Sequence, residues 1–190
     1  VLQNNDKNYR GFIKGSVIEK LKKDKNNIKV FLRSKSSDVQ EYLAETIIDS
    51  DLKSISSIIL DFDKSYKWMY KLKSSKILDK NSESLYHVYF TVEMNWPLKN
   101  RDLVSDVKVF RSNNKITIDL NSKPNYINRN EKYIRIIDTR SIWNLIKISE
   151  NKTKVTLQSY AVIEGIPNFI TDLFILESPL YSLSNLREKF

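Results

Sequence analysis

The chain has 190 residues, a length that suits one domain able to bury about 70% of its unfolded surface. Three glycines, four prolines and 11% aromatic residues exclude a disordered or low-complexity protein, and the absence of cysteine excludes disulfides and thiolate metal sites while leaving the redox compartment unread. A net charge of +9 suits an acidic partner, nucleic acid or an anionic membrane, but the lysines alternate with acids and their densest run is Lys20 to Lys25. They therefore read first as a solvated surface and, if gathered in a patch, as one that meets a membrane.

No apolar run approaches the roughly 20 residues that span a bilayer. Val1 stands where a methionine would, which points to an upstream segment lost by processing or truncation. A cleaved leader is one reading, so the compartment stays open between exported or periplasmic and cytoplasmic.

Residues 1–10 are polar and asparagine-rich and read as a mobile end. Phe12, Ile13, Val17, Ile18 and Leu21 recur at helical spacing and predict a short helix. Alternation over residues 28–34 and 42–49 predicts a hairpin joined by the polar segment 35–38. Ser50 is then the expected cap of a helix whose stripe is Leu52, Ile55, Ile58, Ile59 and Phe62. Asp63 or Ser65 would cap a second short helix carrying Trp68, Met69 and Tyr70.

Residues 74–79 and 85–95 predict a second hairpin, and 103–110 with 115–121 a third. In the strand before the turn, Tyr86, Val88, Phe90, Val92 and Met94 form one apolar face against a mixed face with His87, Tyr89, Thr91 and Glu93. Residues 124–130 read as a loop, 132–148 as one long or bent strand, and 154–164 as the last strand. Asn151-Lys152-Thr153 is a glycosylation sequon that a tight turn explains as well. The chain closes with its longest helix: Gly165 frees the backbone, Pro167 opens the helix, and Pro179 must kink or split it, with Ser178 able to cap the second half.

Between strands lies Asn95-Trp96-Pro97-Leu98-Lys99-Asn100-Arg101-Asp102. Pro97 cannot donate to a ladder, so the chain turns there with Trp96 as an apolar plug. Arg101 and Asp102 open the next strand and point to opposite faces, so they cannot pair with each other. Arg101 then needs either a buried carboxylate or an anionic ligand group, because a lone buried charge is very costly. His87, the only histidine, lies opposite the core-facing row and reads as solvated or hairpin-stabilising. Metal-ligand clusters, glycine-rich phosphate loops and nucleophile triads are absent from the sequence, so no metal or cofactor is expected.

The Trp-Pro turn followed by Arg101-Asp102 resembles the START lipid-transfer domains, in which a Pro-Trp-Pro-like segment precedes an Arg-Asp pair at a strand start. The resemblance extends to Ile28 to Arg33, to Lys67-Trp68-Met69, to Tyr133 to Arg135 and Trp143, and to Gly165-Ile166-Pro167 with Pro179 and Leu183 to Arg187. It departs at Asn95, where the family often has a small residue or proline, and in lacking an N-terminal tryptophan.

The resemblance implies an α+β helix-grip fold over residues 11–190, a curved antiparallel sheet wrapped around a long kinked C-terminal helix enclosing a hydrophobic tunnel. It implies a non-enzymatic, monomeric carrier of one phospholipid, fatty acid or sterol, with transient membrane contact and possible transfer between membranes. Expected ligand contacts are Arg101, Ser105, Arg135 and Ser159 as polar groups, Phe90, Val92, Met94 and Trp96 around the turn, and Phe169, Leu173 and Leu176 on the helix. A polyketide cyclase or dehydratase using the same cavity is the alternative. A nucleic-acid module is disfavoured because most aromatics sit on periodic core faces. Burying an acyl chain of about 16 carbons would gain on the order of 12 kcal/mol, so the tunnel must close, with loop 124–130 and the Pro179 kink as expected gates.

Overall fold

The computed structural model of the chain describes residues 20–34 and 39–190. The mobile end expected at 1–10, the linking segment expected at 35–38 and most of the helix expected over 12–21 lie outside these residues. Lys20 and Leu21 lie within them, and they belong to a strand. Strand β1 (Lys20–Lys25) pairs with β2 (Ile28–Ser34) across Asn26 and Asn27, both at positive φ (53° and 60°). Asparagine tolerates that region better than most residues, and such a two-residue turn matches the twist of a hairpin.

The chain continues through β3 (Gln40–Ile48), α1 (Leu52–Leu60), a 3-10 helix (Phe62–Lys67), β4 (Leu72–Ser82), β5 (Leu85–Val92), β6 (Arg101–Arg111), β7 (Lys115–Ser122), β8 (Ile134–Arg135), β9 (Asp138–Ser149), β10 (Lys152–Val162) and α2 (Asn168–Arg187). All ten described strands form one sheet, nine of them in the order β1-β2-β3-β10-β9-β7-β6-β5-β4 with antiparallel neighbours. The short β8 runs parallel to β6, pairing Arg101 with Ile134 and Asp102 with Arg135. The strand expected over 132–148 is thus two strands on different partners.

Alternation decides what the sheet buries. Val30, Ala44, Ile118, Trp143, Leu145, Val155 and Leu157 form the core against Ile55 and Ile59 of α1, Trp68, and Leu180, Leu183 and Leu186 of α2. Asp51, rather than Ser50, caps α1: its carboxylate accepts from the backbone N–H of Lys53 and Ser54, each at 2.9 Å. The 3-10 helix ends before Trp68, and Asp63 accepts from Ile77 N–H at 2.8 Å instead of capping it. Pro179 is accommodated inside one continuous α2 without splitting it, so Ser178 starts no second helix. The hydroxyl of Thr153, part of the sequon, is buried and donates to Ser50 O at 2.9 Å.

Asp102 and Arg135 join the outer face of β6 to β8. Arg135 Nε and Nη2 meet Asp102 Oδ1 and Oδ2 at 2.9 Å each, and both side chains are 1% exposed. Removing one partner of such a pair strands the other charge. Asp102→Ala is therefore expected to lower the unfolding free energy by about 3–5 kcal/mol. A double replacement of Asp102 and Arg135 by apolar residues of similar volume should recover most of it, as read by urea denaturation.

Candidate functional site

The inner face of the sheet, α1 and the first half of α2 enclose a cavity of about 180 Å³. Apolar side chains make most of its wall, among them Phe90, Val92, Met94, Leu103, Trp143 and Phe174, and its polar groups are few and placed apart.

At one end is Arg101. Strand alternation sends it inward while Asp102 goes outward, and the side chain is 2% exposed. Its guanidinium donates to the carbonyl of Lys99 and, at 3.2 Å, to that of Glu164. Nε is buried with no partner, and among the described residues no carboxylate is within ion-pair distance. Burial pulls the guanidinium below its ordinary pKa.

A group of hydroxyls lies deeper along the sheet. Ser141 and Ser159, paired across β9 and β10, bring their oxygens to 2.7 Å. Tyr42 stands opposite Ser159 on β3, and its oxygen takes hydrogen bonds from Ser159 and from Ser178 of α2. Ser105 and Thr139 complete the polar lining.

The residues expected from sequence divide cleanly. Arg101, Ser105, Ser159, Phe90, Val92 and Met94 line the cavity. Arg135 does not, because it faces the outer side with Asp102. Trp96 is 93% exposed instead of plugging the turn, and Phe169 and Leu173 are 66% and 55% exposed on the outward side of α2. Leu176 packs sideways, toward the groove it shares with Leu32 and Arg33. Tyr42, Tyr70, Ser141, Phe174 and Ser178 line the cavity without having been picked out. For Tyr42 and Ser141 the available signal was the period of two, which puts Tyr42 with Ala44 and Ser141 with Trp143 on inward faces.

Loop 124–130 sits on the opposite side of the sheet and forms no part of the cavity lining. Arg135 Nη1 donates to Pro124 O at 2.6 Å. Tyr126 stacks on His87 at 3.9 Å between ring centres and donates to Asp79 Oδ2 at 2.5 Å. His87 Nδ1 lies 2.8 Å from Asp79 Oδ1, so the histidine ties the β4–β5 hairpin together on the outer face.

Comparison with known proteins separates sequence from shape. Neither a family sequence model nor a curated protein matches the chain. Solved structures do. A STAR-related lipid transfer protein from Xanthomonas axonopodis superposes with a TM-score of 0.82 at 25% identity, covering 90% of this chain and 97% of that one. Human StAR-related lipid transfer protein 5 superposes with a TM-score of 0.77 at 18% identity, covering 95% and 88%. The chain has the START fold. The Zhui aromatase/cyclase from Streptomyces sp. R1128 shares the START-type architecture more distantly, with a TM-score of 0.60 at 8% identity, covering 80% and 93%.

Within this START fold the cavity phenol titrates far from neutrality. Burial pushes the Tyr42 hydroxyl up to about 12, against the opposing hydrogen bonds from Ser159 and Ser178. Ionisation of the unfolded chain near 10 then outruns that of the folded protein. Tyr42's contribution to stability is intact below pH 10 and falls as the pH rises from there toward 12. Tyr42→Phe is expected to flatten that part of the stability profile, measured by denaturant unfolding at a series of alkaline pH values.

Proposed function

We propose that this protein carries a single hydrophobic ligand with an acidic or strongly accepting head group, shielding its apolar body in the cavity and exchanging it at a membrane surface. The observation that carries the reading is Arg101: a buried cation with an unpartnered Nε, aimed into an apolar cavity. A buried charge of this kind is stabilised when a ligand anion accepts from it. The START-type neighbours described as lipid transfer proteins support the same ligand class.

Catalysis fits the lining less well. Among the described residues the titratable side chains facing the cavity are Tyr42, Tyr70 and Arg101, both phenols are shifted upward, and His87 is on the other side of the sheet. A general base working near neutral pH needs a group that titrates there.

The cavity as it stands is smaller than the roughly 300–1,000 Å³ that encloses a drug-sized ligand, so a long-chain ligand requires a wall to move. The first half of α2 is the wall least tied down: Phe169 and Leu173 are exposed, whereas Leu180, Leu183 and Leu186 are buried. The same end of the molecule presents a broken apolar rim. Trp96, Ile134, Phe169 and Leu173 are exposed there, Asn100 O accepts from Ile134 N–H, and Arg101 reaches across to Glu164 just ahead of α2. Exposed apolar groups beside a cavity mouth suit contact with a bilayer surface.

Four results test this. Native mass spectrometry followed by organic extraction should release a stoichiometric lipid-like molecule, and a protein that stays empty against phospholipids, fatty acids and sterols would overturn the carrier reading. Arg101→Met should weaken binding of an acid-headed lipid about ten- to a hundredfold without the loss of stability expected for Asp102→Ala. Of the three tryptophans, Trp68 and Trp143 are 3% and 2% exposed, so a blue shift of fluorescence on phosphatidylserine-containing vesicles should vanish in Trp96→Phe. Hydrogen exchange should also find amides 168–178 faster than those of 180–187, with loop 124–130 protected by its contacts to Arg135 and His87.

A further inference from the structure

Resting on the carrier reading, we infer that the ligand has a second polar function at its far end, and that the hydroxyls of Tyr42, Ser159 and Ser141 select for it. An apolar tail would need only an apolar wall, yet the inner face carries this group of hydroxyls where the neighbouring row of the sheet is Ala44, Leu157 and Trp143. Three contacts, Ser141 with Ser159, Tyr42 with Ser159 and Tyr42 with Ser178, link four hydroxyls. Each hydroxyl has one proton to donate and two lone pairs to accept with, so three contacts leave one donor and several acceptor sites unused. All four side chains line the cavity, so a ligand oxygen can take up that donor.

Register places this group relative to Arg101. The guanidinium bonds Glu164 O, and Ser159 lies five residues back along the same segment. At about 3.3 Å per residue, five residues span at most roughly 16 Å, which bounds the separation of the two polar ends. The ligand class that satisfies both is a long amphiphile with an anionic head and a distal oxygen, such as an ω-hydroxy fatty acid or a hydroxylated sterol acid. A plain saturated acid satisfies Arg101 alone and leaves its methyl end against hydroxyls, which lose hydrogen-bonding opportunity to an apolar neighbour.

Binding of palmitate and ω-hydroxypalmitate to the purified protein, measured by competition with a fluorescent fatty acid, tests the inference. The wild type should prefer the hydroxylated acid about five- to tenfold, the size of one net hydrogen bond. Tyr42→Phe and Ser159→Ala should each reduce that preference severalfold, with circular dichroism confirming the fold. Equal binding of the two acids by the wild type would overturn the inference and leave the carrier reading standing. So would an equal loss of both acids in Tyr42→Phe, the result expected if the hydroxyls only fasten α2 to the sheet. Failure of both acids and of the fluorescent probe to bind would overturn the inference, and with phospholipids and sterols failing as well it would overturn the carrier reading too.

Discussion

Two adjacent residues with opposite charge, placed at the first positions of a strand, cannot neutralise each other. Because successive side chains of β6 point to opposite faces, Arg101 enters the cavity and Asp102 goes to the outer face. Each then needs its own partner. Asp102 finds Arg135 from β8 and the hydroxyl of Tyr89 at 3.0 Å, while Arg101 is left with two carbonyls and the cavity. The same alternation that makes the outer pair a structural rivet leaves the inner cation available to a ligand.

The outer rivet also explains why one side of the sheet is occupied by chain instead of ligand. Arg135 completes its donors on the carbonyls of Pro124, Ile127 and Asn128, which holds that loop against the sheet near His87, Tyr126 and Asp79. Polar satisfaction is nearly complete on this face. On the inner face the corresponding layer is α2, and only its second half is packed as a core element.

Much of this was legible in the sequence because strand periodicity is a local property. The hairpins, the inward direction of Arg101, Ser105 and Ser159, and the α+β layering all follow from alternation and from the apolar C-terminal segment. What failed depended on partners that alternation cannot name. Arg135 occupies the strand phase expected of a ligand contact, but it sits on β8, which leaves the main path to pair with β6. Phe169 and Leu173 look like core residues because their helix is apolar on several sides, and only the packing shows which side meets the sheet. Trp96 read as a plug because large aromatics are usually buried. Alternation singles out Ser159, but the hydroxyls escaped notice as a group because they come from β3, β9, β10 and α2, and no single stretch of sequence contains two of them.

The helix over the cavity is therefore two bodies in one element. Beyond Pro179, Leu180, Leu183 and Leu186 are fixed in the core, and Asn185 donates to Trp68 O at 3.0 Å. Ahead of it, the ties are an ion pair from Glu177 to Lys23 at 2.7 Å between half-exposed groups, the edge contact of Phe174 with Tyr70, the sideways packing of Leu176, and the Ser178 hydroxyl on Tyr42. An exposed ion pair contributes little, and a helix interrupted by proline has already lost a backbone hydrogen bond at the junction. Opening the cavity at this end would give up contacts of the first half alone and leave the packed half that holds the fold in place. The one tie among them that depends on the cavity interior is the hydroxyl contact. A ligand group that accepted the proton of Tyr42 would sit beside the contact that ties this half of the helix to the sheet.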